Sequence, residues 1–172
     1  MKVFICMVLL VSAVAVFAQR PITGAFGIKL GAPPPKEIEI MRNGNKFGSL
    51  FNPSMKFRDF APYLLYVTPK TKKVYWLLTS QEFKTWEDAI TEMNIVKNIF
   101  EKSYKMKFIQ SRDTPLEKTY VLKNGNRFII LGVSKQILKS RVDLQYGDQT
   151  LDEVAEKELQ NIEMQKTDDS MI

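Results

Sequence analysis

One long amphipathic pattern limits what this chain can fold into more than any other feature of its sequence. Apolar residues recur at steps of three and four from Trp86 to Tyr104, which predicts a helix with a single apolar face. Thr85 is placed to cap this helix, and Asp88 three residues later fits a variant of the capping box. The flanking segments are rich in β-branched and aromatic residues. We therefore expect a helix at about 85–105 that buries its apolar face on a sheet.

The flanking segments supply the strands. Asn124-Gly125 lies between two strand-like runs and predicts a hairpin. Its register stays open, because a two-residue turn would pair Leu122 with Arg127 and a three-residue turn would pair Leu122 with Phe128. Pro62 is expected to push its strand towards the sheet edge. The remaining predicted strands are 26–30, 59–68, 73–80 and 140–146, and the turn-rich 43–52 is predicted as a loop.

A second helix is predicted near the C-terminus. Thr150 and Glu153 form a capping box, and an apolar stripe follows to about residue 163. The order of elements predicts a two-layer α+β domain. Its largely antiparallel sheet would have about five to six strands, with both helices (about 85–105 and 150–163) on one face.

The first 18 residues have the pattern of a secretory signal peptide, with Lys2 followed by an apolar run. We expect cleavage after Ala18 and a secreted or periplasmic protein with no transmembrane segment thereafter. The alternative is a membrane anchor, which needs about 20 apolar residues. Gln19, Arg20 and Pro21 end the run before that length. Bacterial and eukaryotic export would both accept such a leader.

Cysteine and histidine are absent after the leader, since Cys6 is the only cysteine and the chain has no histidine. This composition excludes disulfides, thiolate catalysis, Ser-His and Cys-His nucleophiles and the usual zinc sites. No metal or cofactor site is predicted, because no calcium-type Asp-rich loop or phosphate-binding loop occurs. We expect a single domain at 19–165, stabilised by burial, and a frayed acidic tail at 166–172.

Charge is unevenly distributed along the chain. Residues 19–147 contain 22 Lys and Arg against 11 Asp and Glu, whereas residues 148–172 contain 2 against 8. A basic body of this kind favours an acidic protein or an anionic polysaccharide or lipid surface as partner. The alternative is a solvated lysine-rich surface that the acidic C-terminal segment partly neutralises. Export argues against a nucleic-acid partner.

Aromatic and basic residues are interleaved between residues 47 and 86, a mixture that can stack on sugar rings. Most of these rings are needed for the core, and Trp76 is predicted to be one of them. Phe47 and Phe51 fall in the predicted loop and are better contact candidates. The full set of candidate binding residues is Phe47, Phe51, Lys56, Arg58, Lys70, Lys72, Lys73, Arg127 and Arg141.

Carboxylates are the remaining candidates for catalysis. A glycosidase needs two of them facing each other across a cleft. The candidates outside the helices are Asp59, Asp113, Glu117 and Asp143, and their spacing pairs no two of them. We therefore predict no enzyme activity.

The stretch GAFGIKLGAPPPKE, residues 24–37, opens the domain. Its glycine spacing fits no phosphate-binding pattern, so we interpret it as a first strand followed by a stiff exit at Pro33–Pro35, which acts as a spacer or as a docking edge. On Phe26, Gly27 and Gly31, together with the order of elements, the chain resembles small exported bacterial α/β proteins of uncharacterised function that open with F-G-x-x-x-G. The resemblance implies no functional residue.

Three hypotheses about function follow. The first is an exported, non-enzymatic binding or accessory module that recognises an acidic protein or an anionic envelope or extracellular component. The second is a carboxylate-dependent hydrolase of envelope or extracellular polysaccharide. The third is a structural domain that packs in a larger assembly.

Overall fold

The computed structural model describes residues 19–169, and for residues 166–169 it describes the backbone alone. The predicted leader at 1–18 lies outside the described residues. Within 19–169 no helix combines the length and the apolar character needed to span a bilayer.

The architecture is α+β, as predicted, but the sheet is larger than expected. Eight antiparallel strands lie in the order β3-β4-β5-β6-β10-β9-β8-β7, and β1 and β2 form a separate two-stranded hairpin. The prediction of five to six strands was too low. The strands are β1 (Gly24–Ala25), β2 (Ile28–Lys29), β3 (Met41–Asn43), β4 (Lys46–Phe51), β5 (Tyr63–Val67), β6 (Val74–Phe83), β7 (Ile109–Asp113), β8 (Glu117–Asn124), β9 (Arg127–Lys135) and β10 (Ser140–Asp148).

The additional strands lie at or near the sheet edges. β3 and β4 form a hairpin where the sequence predicted a loop at 43–52, and every residue of β3 and β7 is exposed. Edge strands exposed in this way lack the apolar alternation that marks a strand in sequence. β5 was expected at the edge because of Pro62. It lies between β4 and β6 instead, since Pro62 precedes the first paired residue, Tyr63.

Helix α1 (Trp86–Tyr104) confirms the predicted helix. The Thr85 hydroxyl accepts a hydrogen bond from the Asp88 amide at 3.1 Å, and Lys105 ends the helix in the left-handed conformation. The buried residues Ala89, Met93, Val96 and Phe100 form one core with Leu77, Leu131, Val142 and Leu144 of the sheet. α1 therefore covers the face of the sheet to which these strand residues point.

Helix α2 (Gln149–Asp169) lies against the other face, so the prediction of both helices on one face was wrong. A register shift opposite Tyr66 and Val67 makes Tyr75 an extra residue in β6 and interrupts the alternation of the strand. Tyr75 and Trp76 then meet α2 residues around Ala155, outside the α1 core. α2 starts one residue before the expected Thr150, because the Asp148 carboxylate accepts the Leu151 amide at 3.2 Å and so caps the helix.

The β8–β9 hairpin has a third register that the sequence did not suggest. Asn124 pairs with Arg127 and Leu122 with Ile129, so Gly125 and Asn126 form the turn. Gly125 has φ of +61°, which a glycine adopts without steric cost. This register directs Leu122 and Ile129 into the core, where both are fully buried.

The N-terminal segment closes the open end of the core. The predicted strand 26–30 is instead a tight hairpin, in which Phe26 and Gly27 form the turn with φ of +58° and +84°. The buried Phe26 ring packs edge-on against Tyr63 and Tyr146. The Arg127 guanidinium fixes the segment by donating to the carbonyls of Ile22 and Leu30, each at 3.1 Å.

Candidate ligand-binding cleft

A cleft of about 940 Å³ lies beside the end of β4 and the start of β5. One wall is the segment 35–39, which leaves the prolines and leads towards β3. The other wall is the loop 52–56, and the Phe26–Gly27 turn lies at the base. The lining residues are Phe26, Gly27, Ile28, Pro35, Glu37, Ile38, Glu39, Leu50, Phe51, Asn52, Pro53, Ser54, Lys56, Phe60, Ala61, Pro62 and Tyr63.

The floor of the cleft is aromatic and firmly packed. Tyr63 is buried, with its ring 4.8 Å from that of Phe26 and 6.0 Å from that of Phe51. Its hydroxyl accepts a hydrogen bond from the Phe57 amide at 2.8 Å. Phe60 is also buried, whereas Phe51 keeps part of its surface accessible. Because the rings are fixed by one another, Phe51 offers a preformed apolar contact to a ligand.

The loop wall is held by an ion pair to helix α1. Arg58 donates from Nε and Nη2 to the two carboxylate oxygens of Glu92, at 2.5 and 2.9 Å. The hydrogen bond to Glu92 raises the pKa of the Arg58 guanidinium. Arg58 itself has φ of +48°, so the loop turns in the left-handed region at this point. A bidentate pair of this geometry fixes the loop more firmly than a single contact would.

The base of the cleft depends on a close approach of the Ser54 side chain to the Gly27 backbone. A Cβ atom added to Gly27 would lie 2.2 Å from the Ser54 hydroxyl oxygen, and the positive φ of Gly27 also disfavours any other residue. Glycine at this position therefore allows the 52–56 loop to sit against the N-terminal turn.

The rim of the cleft is charged, with opposite signs on the two walls. Glu37 and Glu39 lie on the N-terminal wall and Lys56 on the loop wall, and all three are exposed. Among the described residues none of the three has a salt-bridge partner within 4 Å. Their hydrogen-bonding capacity is thus available to a ligand.

The cleft also borders an open strand edge. β3 pairs with β4 only as far as Gly48, whereas β5 pairs with β4 up to Phe51. The outer edge of β4 from Ser49 to Phe51 therefore has no strand beside it in the described structure. An extended chain can satisfy the backbone groups of such an edge by adding a strand.

The candidate binding residues from the sequence fall into three groups. Phe51 and Lys56 line the cleft. Phe47 and the lysines at 70–73 come together at the β5–β6 turn, where the Lys72 ammonium lies 4.9 Å from the centre of the Phe47 ring. The remaining candidates, Arg58, Arg127 and Arg141, form ion pairs with Glu92, Asp148 and Asp143, respectively.

Acidic residues of α2 lie against the β5–β6 turn. Glu158 accepts hydrogen bonds from the Lys70 and Thr71 amides at 2.6 and 3.2 Å, and from the Thr71 hydroxyl at 2.9 Å. Glu163 pairs with Arg42, whose guanidinium lies over Phe47 at 5.8 Å. The helix thus supplies carboxylates to this basic surface from within the same chain.

Two of the four candidate carboxylates share a second, smaller groove. Glu117 and Asp143 line a space of about 230 Å³ above Gly132, on the same face of the sheet as α2 but beyond the part that α2 covers. Burial raises the pKa of Asp143 despite its bond to Arg141, whereas the hydrogen bond from Arg112 lowers the pKa of Glu117. Asp113 pairs with Lys118, and neither Asp113 nor Asp59 lines this groove.

Three cleft residues were not among the binding candidates chosen from the sequence: Glu37, Glu39 and Tyr63. The two glutamates follow the prolines in an irregular segment, and only the path of that segment beside β4 brings them to the cleft. No group of three or more carboxylate-type metal ligands occurs in residues 19–169. No protein family, curated protein or solved structure matches this chain.

Proposed function

We propose that this protein is an exported, non-enzymatic binding module and that its ligand is an extended polypeptide segment held in the 940 Å³ cleft. The observation that carries the proposal is the meeting of an open β4 edge with a fixed aromatic floor. Export rests on the leader pattern in the sequence.

The three parts of the cleft suit three parts of a peptide. The β4 edge from Ser49 to Phe51 offers backbone hydrogen bonds, which give affinity without sequence selection. The accessible part of Phe51 suits an aromatic or large aliphatic side chain. Glu37 and Glu39 suit a lysine or arginine near it, and Lys56 on the opposite wall suits an acidic group or a C-terminal carboxylate.

The experiment is selection from a displayed library of short random peptides with the purified protein as bait. We expect the selected peptides to combine an aromatic residue with a neighbouring basic residue. Phe51→Ala should weaken their binding by about tenfold or more, and charge reversal by Glu37→Lys or Glu39→Lys should remove the basic preference. Glu153→Lys on the exposed side of α2 is the matched charge reversal away from the cleft. Peptides that bind all four variants equally would show that the cleft is not the site.

A partner of negative charge remains a hypothesis for the basic body. At the β5–β6 turn it must compete with the α2 carboxylates, because Glu158 already accepts hydrogen bonds from the turn amides. Glu158→Gln should therefore increase retention on an anionic resin more than Glu153→Gln does, if this turn contributes to such binding.

A carboxylate-dependent hydrolase is the second candidate function, and the groove above Gly132 is the observation that favours it. Glu117 and Asp143 are two strands apart across β9 and offset by two residues along it, which places their backbones about 12 Å apart. Their environments shift their pKa values in opposite directions, as an acid and base pair requires. Release of reducing sugar from an envelope or extracellular polysaccharide that is lost in both Glu117→Gln and Asp143→Asn would support this function. No release by the unsubstituted protein would exclude it for the polysaccharide tested.

A further inference from the structure

An exposed apolar tip lies at the end of the sheet opposite α2. In the β9–β10 turn, Ile137 is 99% and Leu138 is 90% exposed, which means that they touch almost nothing in the described chain. Leu116 in the neighbouring β7–β8 turn is 60% exposed. Single exposed apolar residues are ordinary, but two adjacent aliphatic side chains at nearly full exposure with a third on the next turn form a patch that needs a covering partner.

Backbone hydrogen bonds hold these turns outward. The Gln136 amide donates to the Lys139 carbonyl at 2.7 Å and closes the β9–β10 turn. The Lys135 amide donates to the Leu116 carbonyl at 2.8 Å, which joins the two turns side by side. These two hydrogen bonds fix the backbone of the turns, so the exposed apolar side chains are presented from a defined surface.

The shape of the patch restricts the partner. Ile137 and Leu138 project from a convex tip, so a flat protein surface could cover only one side of each. A lipid bilayer surrounds an inserted side chain on all sides, and the long stems of flanking lysines let their ammonium groups reach the headgroups.

The charges around the tip agree with an anionic bilayer. Lys139 follows the two apolar residues directly and Lys135 precedes them by two positions, and both lysines are exposed. Lys139 also contacts Glu82, and the neighbouring turn carries the balanced pairs Arg112–Glu117 and Lys118–Asp113. The acidic helix α2 begins at the other end of β10, about 30 Å from the tip along this nine-residue strand.

We propose that the Ile137–Leu138 tip inserts into the interface of an anionic lipid bilayer, with Leu116 at its margin and α2 held away from the surface. The insertion is independent of the peptide cleft, because the cleft lies beside β4 and the tip lies between β9 and β10. The protein would thus bind its peptide ligand while attached to a membrane.

The test is a fluorescence reporter at the tip. Ile137→Cys in a Cys6→Ser background places a single cysteine for an environment-sensitive NBD label, and Ile109→Cys places the same label on an exposed apolar residue at the far end of β7. With vesicles of phosphatidylcholine and phosphatidylglycerol we expect a brighter, blue-shifted signal at 137 and none at 109. Quenching by brominated acyl chains should follow the same pattern. No change at 137, or equal change at both positions, overturns the proposal.

Vesicle co-sedimentation of the full chain supplies the second measurement. Ile137→Ser with Leu138→Ser should reduce vesicle binding by about tenfold or more, whereas Ile109→Ser should leave it within about twofold of the unsubstituted protein. The leader is present in every one of these variants, so only a difference between them is attributed to the tip. Dextran sulfate without lipid must leave the label at 137 unchanged. A full response to that polymer, or vesicle binding unaffected by the two serines, refutes insertion. Cleft peptides should bind the serine variant normally.

Discussion

The ion pair between Arg58 and Glu92 fixes one wall of the cleft to helix α1, so breaking it should affect stability and peptide binding together. Glu92 is buried in the helix, and both of its carboxylate oxygens accept from Arg58, at 2.5 and 2.9 Å. Arg58→Gln removes the charge that compensates this carboxylate. Glu92→Gln leaves the Arg58 guanidinium, whose side chain is 39% exposed and can be hydrated.

The size of the effect follows from this unequal burial. Breaking a buried pair costs about 3–5 kcal/mol, and an exposed pair contributes about 0–1 kcal/mol. Because water reaches Arg58, we expect a coupling energy of about 2 kcal/mol, with Arg58→Gln costing more than Glu92→Gln. The φ of +48° at Arg58 adds a second contrast, since Arg58→Gly should be about 1 kcal/mol more stable than Arg58→Ala.

Urea denaturation of the two single variants and the double variant measures the coupling, with the fluorescence of Trp76 and Trp86 as signal. The peptides selected on the cleft should also bind Arg58→Gln more weakly. Additive free energies of unfolding, within about 0.5 kcal/mol, would refute the reasoning. So would a Glu92→Gln variant that is less stable than Arg58→Gln.

Three further predictions concern other parts of the structure. Burial alone would raise the pKa of Glu101, but the hydrogen bonds from Lys107 and the Phe108 amide lower it overall. Glu101→Gln should therefore cost about 1–2 kcal/mol of unfolding free energy at neutral pH. In denaturation series at decreasing pH, this difference from the unsubstituted protein should vanish as the pH falls through the folded-state pKa of Glu101. Burial, aided by the charge of Asp152, raises the pKa of Tyr75 to about 12. Ala155→Glu should displace α2, so that one more tyrosine titrates at its ordinary pH in alkaline absorbance spectra. An unchanged spectrum would contradict the packing of α2 on Tyr75. Gly27→Ala should cost more stability than Gly44→Ala, because both have positive φ but only Gly27 meets Ser54; equal losses on thermal unfolding would show that the close approach has no energetic effect.

Helix α1 and the central strands could be predicted because their burial leaves a period in the sequence. Every third or fourth residue from Ala89 to Phe100 enters the core. Thr85 caps the helix by accepting a hydrogen bond from the Asp88 amide, a contact that is local in the sequence. β3 and β7 could not be predicted in the same way, since all their residues are exposed and no apolar alternation marks them.

The position of α2 was missed for a different reason. Alternation assigns residues to faces only while the pleat is unbroken, and the extra residue in β6 transfers Tyr75 to the face of Trp76. Nothing local to the β6 sequence announces this shift. It is set by how β6 pairs with β5, which is a property of two strands together.

The candidate site was only partly accessible from the sequence. Phe51 and Lys56 were selected for their residue types, and the structure places both at the cleft. Arg58 has the same chemistry, but its partner Glu92 is 34 residues away. A sequence shows that a residue is charged; it does not show whether the opposite charge lies in the same protein or in a ligand.

The N-terminal hairpin also determines the order in which the chain can complete its fold. Arg127 reaches Ile22 and Leu30 across sequence separations of 105 and 97 residues, and Phe26 packs on Tyr146. The N-terminal hairpin can meet Tyr63 of β5 earlier, but its packing site is complete only when β9 and β10 have been made. Contacts of such long range slow folding, so the N-terminal hairpin cannot reach its full native packing before the second half of the sheet is present.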